Sequence, residues 1–232
     1  LVAERAAPVP ARHPKAVHGD GRDGEAVRGP AVDARRADAT ADLERGDDAG
    51  ARPHDAGAPV PDDVALLVRT SGSTGTPREV MLTATALRAS AEATHRRLAG
   101  PGRWLLPLPP AHVAGLQVLV RSLVAGTTPR VLAGPFRADA FAAAVAELPA
   151  GDGPRYTSLV PTQVHRLLDA PAGRDALAAL DAVLLGGAAA PPGLVDRARA
   201  AGAHVVTTYG MSETSGGCVY DGVPLDGVTV DL

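Results

Sequence analysis

The sequence predicts an α/β protein built on a parallel sheet with helices on both faces. Three observations lead to this reading. From residue 61 onward, short apolar runs alternate with segments of helical length, the pattern of successive βαβ units. Such units place helices on both sides of the sheet, so its strands are buried. The conspicuous motifs stand at the ends of apolar runs, and parallel sheets collect ligands at the carboxyl ends of their strands.

Each element has its own signal. Residues 64–69 form an apolar run, Val-Ala-Leu-Leu-Val-Arg, which reads as a buried strand feeding a glycine-rich loop. Thr83 is an N-cap for a helix running to Leu98, where Gly100 and Pro101 stop it. Residues 103–108 read as a strand, 113–124 as a mostly apolar helix, 130–133 as a short strand and 139–148 as a helix. The strand at 156–160 meets Pro161, which is favoured in the first turn of a helix. A strand at 182–185 ends at Gly186 and Gly187, a helix follows at about 192–201, and a strand occupies 204–208.

Residues 1–60 differ in kind. They contain no Phe, Trp, Tyr, Ile or Met, and intersperse acidic residues and arginine with Ala, Gly and Pro. That leaves too little apolar area to offset the entropy of ordering, so the segment reads as disordered or irregular. Its composition is also that of GC-rich coding sequence read out of frame, which the gene's DNA read in all frames would test. Arginine accounts for every basic residue except Lys15.

The formal net charge of −3 gives no electrostatic case for nucleic acid or an acidic membrane. Cys218 is the sole cysteine, which leaves no disulfide framework and fits a reducing cytoplasm. No apolar run reaches about 18 residues, so no membrane span is expected, and the N-terminus lacks the apolar core of a secretory signal. Oligomeric state is not legible.

The strongest motif is Thr70-Ser71-Gly72-Ser73-Thr74-Gly75-Thr76-Pro77-Arg78-Glu79. Glycines let successive N–H groups face one point and form an anion nest. Hydroxyls add donors and Arg78 a fixed charge, a set suited to a polyphosphate. Taken alone, such a stretch also describes a surface turn. The spacing matches neither the Walker A loop nor the dinucleotide fingerprint. Three further segments stand at strand ends. Leu106 to Gly115 contains His112, Leu184 to Pro191 contains Gly186-Gly187-Ala188, and Thr207 to Thr214 contains Tyr209-Gly210-Met211-Ser212-Glu213. Each has an ordinary alternative: a helix cap for His112, a strand-to-helix turn for the glycines, a solvated loop carboxylate for Glu213.

Together these segments resemble the adenylate-forming superfamily of acyl-CoA synthetases, luciferases and peptide-synthetase adenylation domains. Its phosphate loop usually reads TSGSTGTPKGV; here Arg78 stands for lysine and Glu79 for glycine. The Tyr209–Glu213 stretch resembles its YGxTE motif, with Ser212 in place of threonine. Within the superfamily, HVAGLQVLVRSL, LLGGAAA and TYGMSETSGGCVYDGVPLDGV resemble the o-succinylbenzoate–CoA ligase branch, which serves menaquinone biosynthesis.

The resemblance begins near Asp63 and implies a partial AMP-binding domain over 61–232, part of the large N-terminal domain of such an enzyme. It implies ATP, Mg²⁺ and coenzyme A acting on a small-molecule carboxylic acid. Thr70 to Thr76 and Arg78 would hold phosphates, Ser212 the α-phosphate, and Glu213 the Mg²⁺. Tyr209 and Gly210, with Gly186, Gly187 and Ala188, would form the adenine and acyl sites, and His112 would stand near the substrate carboxylate. The family continues into a segment with a ribose-binding aspartate and a small C-terminal domain carrying the adenylation lysine, and Lys15 does not match that position. The 232-residue chain alone is therefore expected to have little ligase activity. Other acyl- or aryl-CoA synthetases, carrier-loading adenylation domains and a non-catalytic nucleotide-binding fragment remain the alternative readings.

Overall fold

The protein is described by a computed structural model covering residues 60–70, 78–149, 151 and 153–231, all within one compact unit. Expectations for residues 1–59 and for Ser71 to Pro77 lie outside the described residues.

The first two strands, β1 (Val64–Thr70) and β2 (Arg78–Thr83), form an antiparallel hairpin separate from the main sheet. This corrects the expectation of a buried strand at 64–69, because only Val68 of β1 is buried. A short apolar run looks the same in a hairpin and in a core strand. Cross-strand neighbours Arg69 and Glu79 are joined at 3.1 Å. Glu79, the departure from the usual glycine, thus ties the two legs together on the exposed side of the hairpin. Such half-exposed pairs contribute about 0.2–1 kcal/mol.

Thr83 caps α1 (Ala84–Arg97) as expected, its Oγ1 accepting from the Ala86 amide at 3.1 Å. β3 (Arg103–Leu106), α2 (Val113–Val124), β4 (Arg130–Val131), α3 (Ala138–Ala146) and β5 (Arg155–Leu159) follow. Next come α4 (Pro161–Leu168), α5 (Pro171–Ala178), β6 (Ala182–Leu185), α6 (Leu194–Ala200) and β7 (Val205–Met211). A 3₁₀ turn at Ser212–Thr214, β8 (Gly216–Tyr220) and β9 (Val223–Pro224) complete the order. Pro161 opens α4, and the Gln163 side chain accepts from the Val160 amide at 3.1 Å. This satisfies one of the donors that a helix start leaves unpaired.

The main sheet runs β4-β3-β5-β6-β7-β8-β9, parallel through β7 and antiparallel thereafter. Period-two alternation divides its residues between two cores. Leu105, Leu159, Val183, Leu185 and Val205 face α3 to α6. Trp104, Leu106, Tyr156, Leu184 and Val206 face α1 and α2, where Ala93 and Val118 pack. Helices therefore cover both faces, as predicted. The hairpin rests on α1 and α2 through Val68, Leu82 and Leu87, with Leu116 and Val120 beside them.

From β3 the chain passes outward to β4 and then returns to β5 on the other side of β3. The connections diverge at that point, which opens a crevice at the carboxyl ends of β3 and β5.

Candidate functional site

A cleft occupies that crevice, lined among others by Leu108, Ser158, Gly186, Thr208, Gly210 and Tyr220. Absent side chains let its backbone walls close. A Cβ on Gly186 would lie 2.3 Å from Thr208 Oγ1, and one on Gly210 would lie 2.0 Å from the Gly216 carbonyl oxygen. Gly210 sits where the β7–β8 register shifts.

The structure brings several predicted residues together here. Gly186, Gly187 and Gly210 all line the cleft. Ala188 is half-buried, and Tyr209 stands 63 % exposed; neither is among the lining residues. His112 is the N-cap residue of α2 but makes no side-chain cap bond, while its neighbours Val113 and Ala114 line the cleft. Thr70 and Arg78 are register partners that close the hairpin, with Thr70 Oγ1 donating to the Arg78 carbonyl at 3.4 Å. Ser71, Gly72, Ser73, Thr74, Gly75 and Thr76 fall outside the described residues.

Ser212 is buried and Glu213 exposed, on the 3₁₀ turn that ends β7. Thr214 braces this turn: its hydroxyl accepts from the Met211 amide at 3.0 Å and donates to the Gly216 carbonyl at 2.6 Å. β2 packs directly against the turn. The strand leaving the loop at Arg78 and the turn carrying Ser212 and Glu213 therefore share one side of the fold. Among the described residues, no three His, Cys, Asp or Glu side chains gather into a metal cage. Mg²⁺ needs no such cage, because it keeps several waters and takes only one or two carboxylates beside substrate phosphates. An exposed Glu213 fits that role.

Arg121 lies on the cleft wall yet is only 3 % exposed. Its guanidinium stacks 5.2 Å from the Trp104 ring centroid and donates to Tyr220 Oη at 3.2 Å. Among the described residues no carboxylate pairs with it, and its Nε has no partner. Ser158 Oγ, also on the cleft wall, is likewise buried without a partner. An unneutralised buried cation is expensive, and a ligand anion in the cleft would neutralise it. The motif reading passed over Arg121, although a lone arginine within the apolar stretch 113–124 is a legible signal.

His95 is buried on the neighbouring helix. Burial holds its imidazole below the ordinary value of 6.5, Arg121 adds to the effect, and Glu92 opposes it. The unfolded chain takes up this proton first, so the associated stability is present above pH 6.5 and lost as pH falls through the lower folded value. Denaturant titrations from about pH 8 to about pH 5 should show stability declining with acid, and His95→Gln should flatten that decline.

The family model described as AMP-binding enzyme matches residues 6–231. The match begins upstream of Asp63, where the motif resemblance starts. The "Probable 2-succinylbenzoate–CoA ligase" of Mycobacterium tuberculosis is 59% identical over 175 residues, covering 74% of this chain and 45% of that protein. The 2-succinylbenzoate–CoA ligase of Escherichia coli K12 is 36% identical over 155 residues, covering 66% of this chain and 31% of that protein. The chain thus spans less than half the length of these curated relatives. Among solved structures, O-succinylbenzoate coenzyme A synthetase from Bacillus subtilis in complex with AMP superposes with a TM-score of 0.61 at 29% identity, covering 71% of this chain and 44% of that one. The same synthetase in complex with ATP and magnesium ion gives 0.56 at 31% identity, covering 66% and 31%. No helix among the described residues is long and apolar enough to cross a membrane.

Proposed function

This chain belongs to the AMP-binding enzyme family, and from that premise we propose that it forms the nucleotide- and acid-binding part of an ATP-dependent acid–thiol ligase. A carboxylate is a poor acyl donor. In the proposed reaction its oxygen attacks the α-phosphorus of ATP, the bond to the β-phosphate oxygen breaks, and pyrophosphate leaves. The thiol of coenzyme A then attacks the acyl carbon of the adenylate, releasing AMP and a proton. The residues position groups and offset charge rather than form covalent bonds to substrate. Arg78 and the loop before it would steady the outer phosphates, Ser212 the α-phosphate, and Glu213 the Mg²⁺, which supplies charge neutralisation on the departing pyrophosphate.

One observation supports this reading: β2, which begins at Arg78, lies against the Ser212–Thr214 turn, so the groups proposed to meet the phosphates stand together at the carboxyl end of β7. For the acid we propose 2-succinylbenzoate, as in menaquinone biosynthesis. The likeness to the mycobacterial ligase supports it, and so does buried Arg121, which is suited to a second carboxylate that the reaction leaves intact. The activity is proposed for the whole protein, in a cytoplasmic setting consistent with its single cysteine.

ATP–pyrophosphate exchange by the complete gene product, run against a panel of acids, tests the proposal. Exchange should be fastest with 2-succinylbenzoate and slow with benzoate. Equal rates across the panel would point to another acyl- or aryl-CoA synthetase, and acyl transfer to a carrier protein but not to coenzyme A would mark a carrier-loading domain. Nucleotide binding without exchange would leave a non-catalytic module.

A further inference from the structure

Gln117 is fully buried in the middle of an apolar helix, an expensive place for an amide. Its Oε1 has no partner among the described residues. Its Nε2 donates to the carbonyl oxygen of Ser215. The opposite amide orientation would set two acceptors against each other, which fixes the assignment. The same carbonyl accepts a second bond, from Ser90 Oγ on α1 at 3.1 Å. Two helices therefore hold one backbone oxygen.

Ser215 immediately follows the turn that carries Ser212 and Glu213. It lies in the left-handed region at φ 55°, and Gly216 continues at φ 102°. A non-glycine residue keeps such a conformation only where its surroundings enforce it. Gly216 fits against the stem of the same glutamine: a Cβ there would stand 3.0 Å from Gln117 Cγ. Carbonyl, backbone twist and close packing all converge on Gln117.

We infer that Gln117 and Ser90 are positioning residues for the nucleotide step, clamping the Ser215 carbonyl so that the preceding turn presents Glu213 to the nucleotide-bound metal. The inference rests on the proposed role of Glu213 and adds the groups that hold it in place. Neither residue touches the nucleotide; each acts through the turn.

The test is calorimetric titration of the 232-residue chain with ATP, in Mg²⁺ and in chelator, for wild type, Gln117→Met and Ser90→Ala. Methionine keeps the length and bulk of the side chain without the donor. Ser90→Ala removes the second donor from a half-buried site and serves where Gln117→Met fails to fold. Mg²⁺ should tighten ATP binding by the wild type, and each variant should lose about ten- to a hundredfold in the Mg²⁺-dependent affinity. Metal-free affinity should stay within about twofold. General loosening of the fold would weaken both titrations together, and that outcome overturns the inference. So does a full Mg²⁺ response in both variants, with the ligase reading left standing. Wild type that binds no nucleotide overturns that reading, and the clamp's role with it.

Discussion

Removing the Glu213 carboxylate should reduce Mg²⁺-dependent pyrophosphate exchange by about 10²–10³-fold while leaving stability within about 0.5 kcal/mol of wild type. The two halves have separate causes. Glu213 is exposed, and the turn around it is braced by Thr214 and by Ser215, not by the carboxylate. Replacement by glutamine therefore costs the fold little. The charge, in contrast, is the part proposed to hold the metal against departing pyrophosphate, and an amide is a weaker ligand for a hard cation. The check is exchange by wild type and Glu213→Gln across a Mg²⁺ series, beside their thermal melts. Exchange within about threefold of wild type would remove Glu213 from the metal site.

Arg121→Met should separate stability from recognition more sharply. An unpaired buried guanidinium costs desolvation that its stacking on Trp104 and its bond to Tyr220 only partly offset. An apolar side chain of similar length should leave the melting temperature unchanged or higher. The same change removes the cation proposed to meet the second carboxylate of the acid. Charge-assisted hydrogen bonds contribute about 1.5–3 kcal/mol, so the KM for 2-succinylbenzoate should rise by roughly ten- to a hundredfold, with the KM for ATP unchanged. Measuring both constants beside the melt is decisive, because a variant that melts lower and binds the acid normally would make Arg121 a structural residue.

The parts of this architecture legible from residues are those governed by local rules. The Thr83 cap, the proline at the start of α4 and the apolar stretch of α2 fall where composition and capping place them. The strand at 182–185 likewise follows from an uninterrupted apolar run, and the strand expected at 103–108 forms over its first four residues. What escaped depends on partners distant in sequence. β1 reads as a core strand until its pairing with β2 is seen. β8 begins with two glycines, which weaken any strand signal. α5 has Pro, Gly and three alanines over eight residues and no clear apolar stripe. At the site, the glycines lining the cleft were visible as a motif and Arg121 stood out as a lone charge in an apolar stretch, while the partners of Gln117 and Arg121 appear only when Ser215 and β8 are brought against α2.

The strand order carries a consequence for how the chain reaches this shape. β3 pairs with β5, its neighbour across an intervening strand and two helices, and Thr157 reaches the Leu105 carbonyl over 52 residues. Closing so long a segment spends chain entropy before any ladder bond is gained, which makes parallel pairing of this kind slow. On the ribosome, α1 and α2 can cover Trp104 and Leu106 early, whereas Leu105, on the opposite face, must wait for β5 and the helices that complete its core. An interval of exposure to aggregation, on that one face, is therefore written into its topology.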